Sequence, residues 1–197
     1  MTANSKLHIQ QKENIKMENT QNQTKWVLDP SHSELSFKVK HLMISNVKGE
    51  FRKFSAEIAG EKFAAAPVRV AIDAASIFTN EENRDAHLRS ADFFDVENHP
   101  EMSFASTSFK KVDDENYQLA GQLTLKGVTK PVVLDVEFGG IATDPYGNEK
   151  AAFSLSGKIN RKDWGLNWNA ALETGGILVG EEVRIQGDMQ FVKKSAE

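Results

Sequence analysis

Apolar and polar side chains alternate with a period of two along most of the chain after Trp26. That pattern marks strands with one buried and one solvated face. Leu35, Phe37 and Val39 alternate with Ser36, Lys38 and Lys40. A more irregular stretch, 46–59, carries Val47, Phe51, Phe54 and Ile58. Val68, Val70 and Ile72 predict a third strand, and Met102 and Phe104 open a fourth that runs into Ser106. The stretches 117–125, 132–138, 153–159 and 183–191 repeat the alternation and complete a predicted set of eight. Asp113-Asp114-Glu115-Asn116, Lys126-Gly127 and Asp144-Pro145-Tyr146-Gly147-Asn148 have the residue chemistry of hairpin turns. Consecutive hairpins give an antiparallel meander, and eight strands tend to close because closure removes exposed edges. The expectation is an all-β protein, an extended eight-stranded antiparallel β-barrel.

One segment departs from this period. Thr79-Asn80-Glu81-Glu82 reads as a capping box, which predicts a short helix after the third strand, from about Asn80 to Ser90. Asn80, Arg84 and His87 then share one face, and Asp85 pairs with Arg89.

Three strands place a glycine on the apolar face: Gly121, Gly157 and Gly187. A strand-interior glycine gives up packing and marks a bend, a bulge or a close approach. Repeated on one face, it fits a sheet that curves around an unfilled axis. It fits equally well a set of barrel-corner bends over a filled core, and alternation alone favours the filled core. An eight-stranded barrel is wide enough for its own side chains or for one small ligand.

The length of 197 residues and the 40% hydrophobic content suit one domain with a real core. Net charge is -4 with the two signs interspersed, so no basic footprint for nucleic acid exists. Cysteine is absent, which excludes disulfides and thiolate chemistry. No run approaches the roughly 20 apolar residues of a membrane span. Residues 1–25 are polar and lack the apolar core of a secretory signal, so a disordered arm and a cytoplasmic location are expected. The barrel domain is expected over 26–193, with a short tail at 194–197. His32, His41 and His99 have no metal-type spacing, so no metal is expected. No nucleophile elbow, phosphate-binding loop or dinucleotide fingerprint is present. No catalytic residue is assigned.

Six blocks then carry a resemblance. LDPSHSELSFKVKHL (28–42), VKGEF (47–51), NEENRDAHLRSADFFDVENHPEMSF (80–104), LTLKGVTKPV (123–132), NRKDWGLNW (160–168) and GEEVRIQG (180–187) are similar, in order, to motifs of the YceI-like family. The resemblance implies a lipocalin-like barrel with a tubular apolar cavity that binds polyisoprenoid, quinone-like or fatty-acyl lipids, often as a dimer and often in the periplasm. No cofactor beyond such a lipid is expected. With it, the inward-facing set becomes a candidate cavity wall. Phe37, Val39 and His41 come from the first strand, and Phe51, Phe54, Val70 and Ile72 from the next two. Phe104, Leu123, Val136 and Phe138 follow, then Phe153, Leu155 and Ile185. Trp164 and Trp168 either wall the mouth or simply anchor their loop. Gly175-Gly176-Ile177-Leu178 reads as a flap or as a plain connection into the last strand. Asn80, Arg84 and His87 are candidates for a polar mouth, where an arginine fork suits a phosphate or carboxylate; a purely structural helix explains the same block. The expected function is non-enzymatic lipid binding or transport. Two alternatives stand beside it: an enzyme using the Asn80–Arg84–His87 face, and a stress-response interaction module whose cavity is incidental.

Overall fold

The computed structural model describes residues 24–171 and 176–194. Residues 1–23 of the expected arm, 195–197 of the expected tail and Gly175 fall outside these residues; Lys25 and Lys194 lie within them and pair with each other. The strands are β1 (Lys25–Leu28), β2 (Glu34–His41), β3 (Ser45–Phe51), β4 (Phe54–Ala59), β5 (Val68–Asp73), β6 (Ile77–Phe78), β7 (Glu101–Lys111), β8 (Asn116–Leu125), β9 (Val128–Thr143), β10 (Glu149–Asn160) and β11 (Val179–Lys194). A single helix among the described residues, α1 (Glu82–Arg89), lies between β6 and β7.

Among the described residues, eleven strands form an eight-stranded closed barrel because the first three barrel strands are each interrupted. β1 and β2 run successively along β11, with Leu28 opposite Phe191 and Glu34 opposite Asp188. Between them Asp29 caps a 3-10 turn at Pro30–His32 by accepting from Ser31 N–H at 3.1 Å. β3 and β4 break at Arg52–Lys53, and β5 and β6 at a second 3-10 turn, Ala74–Ser76. The irregular stretch 46–59 is therefore one barrel strand bent in the middle. Pairing of β1 with β11 closes the ring, and every pairing is antiparallel. Strands of up to 16 residues, at about 3.3 Å per residue, give a tall barrel.

The expected turns form. Lys126 and Gly127 both adopt positive φ (46° and 72°), the conformation of the two-residue turn whose twist matches the flanking strands. Asp113 and Asp144 each accept backbone N–H groups within their loops, from Glu115 and Asn116 and from Tyr146 and Asn148.

The helix forms on different terms from those expected. Its cap is Glu81, whose carboxylate accepts from Asn83 N–H (3.1 Å) and Arg84 N–H (2.6 Å). Thr79 is buried and serves as a hub instead. Its hydroxyl and its N–H donate to the buried Asp85 carboxylate at 2.5 and 2.8 Å, while its hydroxyl oxygen and carbonyl accept from Arg84 at 2.7 Å each. Arg89 does not pair with Asp85; it donates to the carbonyls of Ala75 and Ile77 at 2.8 Å. These bonds fasten a helix with little apolar face across one end of the barrel.

Candidate functional site

The inward stripes end differently at the two ends of the barrel. At the end where β1 begins and β11 finishes, aromatic rings fill the axis. Phe63, from the loop between β4 and β5, packs 4.9 Å from Phe153, 5.2 Å from Trp26 and 5.5 Å from Phe138. Phe109, Phe153, Phe191 and Trp26 are all buried there. Rings of this size bury large apolar area in tilted and edge-on contacts, so this end is plugged.

Toward the other end the same stripes lose cover. On β10, Ala151 and Phe153 are buried, but Leu155 and Ile159 are only half-buried although they point inward. On β11, Phe191 and Met189 are buried, whereas Ile185 and Val183 are half-buried. The uncovered apolar surface faces an internal cavity of about 530 Å³, within the range of small-molecule sites. Cross-strand rows build its wall. Ile159, Val183, Val39 and Val47 stand side by side, and below them Gly157, Ile185, Phe37 and Gly49.

The glycines work differently from the sequence expectation. They do not leave empty space. A Cβ on Gly121 would meet the Phe104 ring and lie 2.6 Å from the Ala105 carbonyl oxygen. Gly157 makes room for Leu134 in the same way, Gly49 for Phe37, and Gly187 for the Met189 methyl group at 2.6 Å. Each gives up its own side-chain volume to a large neighbour.

The ionisable residues of the cavity wall sit together at the end opposite the plug. They are His41, Arg84, His87 and Arg161, and among the described residues no Asp or Glu lines the cavity. His41 is the last inward position of β2. Arg84 and His87 project from α1. His87 also lies 4.7 Å from the Trp168 ring and 5.2 Å from Phe93, and its Nε2 lies 3.0 Å from Asp92 Oδ2. Arg161 opens the 3-10 turn after β10, whose cap is Asn160. Its side chain is 3% exposed. It donates from Nε to Gly180 O (2.9 Å), from Nη1 to Trp168 O (2.9 Å) and Leu166 O, and from Nη2 to Val179 O (3.3 Å). Burial pushes its pKa below the usual arginine value, with Glu181 opposing; arginine stays charged under any ordinary condition.

Of the expected wall, Phe37, Val39, His41, Phe51, Phe54, Val70, Ile72, Phe104, Leu123, Val136, Phe153, Leu155, Trp168 and Ile185 line the cavity. Three expected residues do not. Phe138 belongs to the aromatic plug. Trp164 is buried beside the wall, with its indole N–H donating to Leu123 O at 3.0 Å, so it anchors its loop. Asn80 is exposed, with φ at 61°, one residue before the true cap. Sequence reasoning missed Arg161, Asn83, Phe93, Phe94 and Leu178, which also line the space. A signal for Arg161 existed: it continues the inward parity of Phe153, Leu155, Gly157 and Ile159. Among the described residues no group of three or more His, Asp or Glu side chains is placed to hold a metal. No helix there is long and apolar enough to cross a membrane.

Fold and site together define a lipocalin-like barrel, plugged at one end, with an apolar cavity and a basic opposite end. The chain belongs to the YceI-like family, whose domain matches residues 26–191. It is 41% identical to a UPF0312 protein of Staphylococcus epidermidis over 171 residues, covering 85% of this chain and 97% of that protein. The crystal structure of a Campylobacter jejuni YceI protein superposes with a TM-score of 0.68 at 36% identity, covering 80% of this chain and 91% of that one. A polyisoprenoid-binding domain from Saccharophagus degradans shares the fold, with a TM-score of 0.65 at 15% identity over 86% of this chain and 98% of that one.

Proposed function

We propose that the protein binds one long-chain amphiphile, without chemical turnover. The hydrocarbon chain lies along the apolar cavity, and the head group sits at the His41–Arg84–His87–Arg161 end. One observation carries this reading. Among the described residues, an apolar cavity of about 530 Å³ has four ionisable wall residues, all capable of positive charge and all at one end. A long chain of about fifteen methylenes gains on the order of 12 kcal/mol by burial. Association costs about 4–15 kcal/mol, so head-group contacts decide which amphiphile is kept. Arginine donors favour an acceptor-rich or anionic head, such as a phosphate, a carboxylate or a quinone carbonyl. The chain chemistry we favour is isoprenoid or fatty-acyl, in line with the polyisoprenoid binding of the Saccharophagus domain.

Native mass spectrometry of the full chain, stripped of lipid and then offered geranylgeranyl phosphate, palmitate or a short-tailed quinone, tests the proposal. A single bound molecule is expected, and Arg84→Met should weaken the phosphate more than an uncharged prenol of equal length. Failure to retain any long-chain amphiphile would remove the reading. Conversion of any probe to product would overturn its non-enzymatic part.

A further inference from the structure

The turn between β2 and β3 presents three consecutive apolar side chains to solvent. Leu42 is 38% exposed, Met43 60% and Ile44 84%. The backbone holds them there at a steric cost. Leu42 and Met43 both adopt left-handed φ (50° and 62°), which bulky residues rarely adopt. Strain of this kind persists where the surroundings impose it and clusters at functional positions. The turn is fixed by Leu42 N–H donating to Leu178 O at 2.9 Å and Ile44 N–H to His41 O at 3.3 Å. His41, immediately before the tip, lines the cavity, as does Leu178. The apolar tip is thus part of the rim at the basic end.

The tip half of the hairpin's outer face is positively charged, although the whole chain carries -4; Glu34 and Glu50 lie on the same face further from the tip. Lys38 stands opposite Lys48 across the β2–β3 ladder and opposite Arg184 across β2–β11. Lys40 is exposed one position nearer the tip. Among the described residues only Arg184 of these four has a carboxylate partner, Glu182 at 3.1 Å. Like charges directly opposite in a sheet are unfavourable, so a stack of unpaired lysines behind an exposed apolar tip is not a stability feature. Apolar side chains backed by lysines fit one kind of surface. An anionic bilayer accepts the apolar residues at the headgroup boundary and attracts the lysines behind them.

We propose that the β2–β3 hairpin docks the barrel on an anionic lipid bilayer, with Leu42, Met43 and Ile44 inserted and Lys38, Lys40 and Lys48 over the phosphates. Docking in this pose turns the basic end of the cavity toward the membrane. Its purpose, loading or unloading an amphiphile directly from the bilayer, rests on the function proposed above; the docking itself does not.

The test is flotation of the full-length protein with vesicles of phosphatidylcholine alone or mixed equally with phosphatidylglycerol. Wild type is expected to float with the mixed vesicles at low salt and to dissociate at high salt, where screening shortens the reach of the lysines. Met43→Asp/Ile44→Asp should lower partitioning about tenfold or more. Each of Lys38→Gln, Lys40→Gln and Lys48→Gln should lower it about fivefold. Lys40, Met43, Ile44 and Lys48 are exposed and Lys38 is half-buried on the outer face, so the variants should melt with wild type and still take up geranylgeranyl phosphate from detergent. Equal flotation of the Met43/Ile44 variant, or no flotation of wild type, overturns docking. A wild-type dimer dissociated by the Met43/Ile44 change, without vesicle binding, also overturns it, because a second copy then covers the tip. If vesicles are bound but no amphiphile is taken up from detergent, the cavity reading fails and the docking stands.

Discussion

Replacing Arg161 by methionine tests whether the basic end is held together by that one side chain. Methionine keeps an unbranched apolar stem and deletes the guanidinium. The carbonyls of Gly180, Trp168 and Leu166 each lose a cationic donor. Val179 O loses its weakest contact but still accepts from Asn169 Nδ2 at 2.7 Å. Leaving a buried acceptor without a donor costs about 1–3 kcal/mol, so three such acceptors set a ceiling near 9 kcal/mol and a floor near 3. Two effects reduce the loss. The cavity lets water approach these carbonyls, and the desolvation cost of a buried charge, visible in the depressed pKa of Arg161, disappears with it. A net loss of about 2–4 kcal/mol is expected, which for a domain of this size lowers Tm by roughly 4–16 °C. Arg161→Lys should fall between, because an ammonium cannot reach three carbonyls in fork geometry. Calorimetry on lipid-stripped protein is the assay, since bound ligand raises Tm by mass action. The deficit should be the same at pH 6 and pH 8, because arginine does not titrate there. A methionine variant melting within about 2 °C of wild type would refute the clamp.

Two further outcomes follow from the fold. Asp29 is held below the usual carboxylate range, chiefly by the Lys150 ammonium at 2.8 Å and also by His32 and the Ser31 N–H, against the raising effect of burial. A carboxyl whose folded pKa lies below its unfolded value of about 3.9 stabilises above that pH and loses the contribution as pH falls through the folded pKa. Asp29→Asn should therefore cost about 1–2 kcal/mol at pH 7 and progressively less on acidification in urea titrations; an equal cost at pH 7 and pH 2 would sink this account. Gly121→Ala should destabilise by about 1–3 kcal/mol because the new methyl meets the Ala105 carbonyl oxygen at 2.6 Å as well as the Phe104 ring. Gly139→Ala, whose nearest neighbour would be the Ala152 methyl at 3.4 Å, is the near-neutral control in the same melts.

Much of the barrel was legible because its signals are local. Alternation at period two fixes which side chains of a strand face in, so Phe37, Val39, Leu155 and Ile185 could be assigned from their neighbours alone. Asp-rich and Lys-Gly turns fix the hairpins by their own backbone preferences. The interruptions at Pro30–His32, Arg52–Lys53 and Ala74–Ser76 were missed, although Asp29 and Asp73 cap the first and third from within their own segments. The helix cap was misread for a related reason. Thr79 carries the right side chain for a cap, but burial beside Asp85 and Arg84 recruited it, and Glu81 took its place.

The linear order of residues determined the eight strands, their sequence around the ring and the two faces of each. These depend on contacts between near neighbours and on the fixed pleat of a strand. Only closure of the barrel decided which inward residues meet a filled axis and which meet a cavity. That depends on how far opposite walls stand apart, a distance set by residues up to the full length of the chain away. Phe138 and Ile185 carry the same pattern in sequence; Phe63 packs against the first, whereas the second lines the cavity. Closure likewise brought Arg161 to the carbonyls of Gly180 and Val179 and put the Leu42–Ile44 tip on the rim. No period in the sequence encodes such meetings, because they join segments that only the tertiary structure makes neighbours.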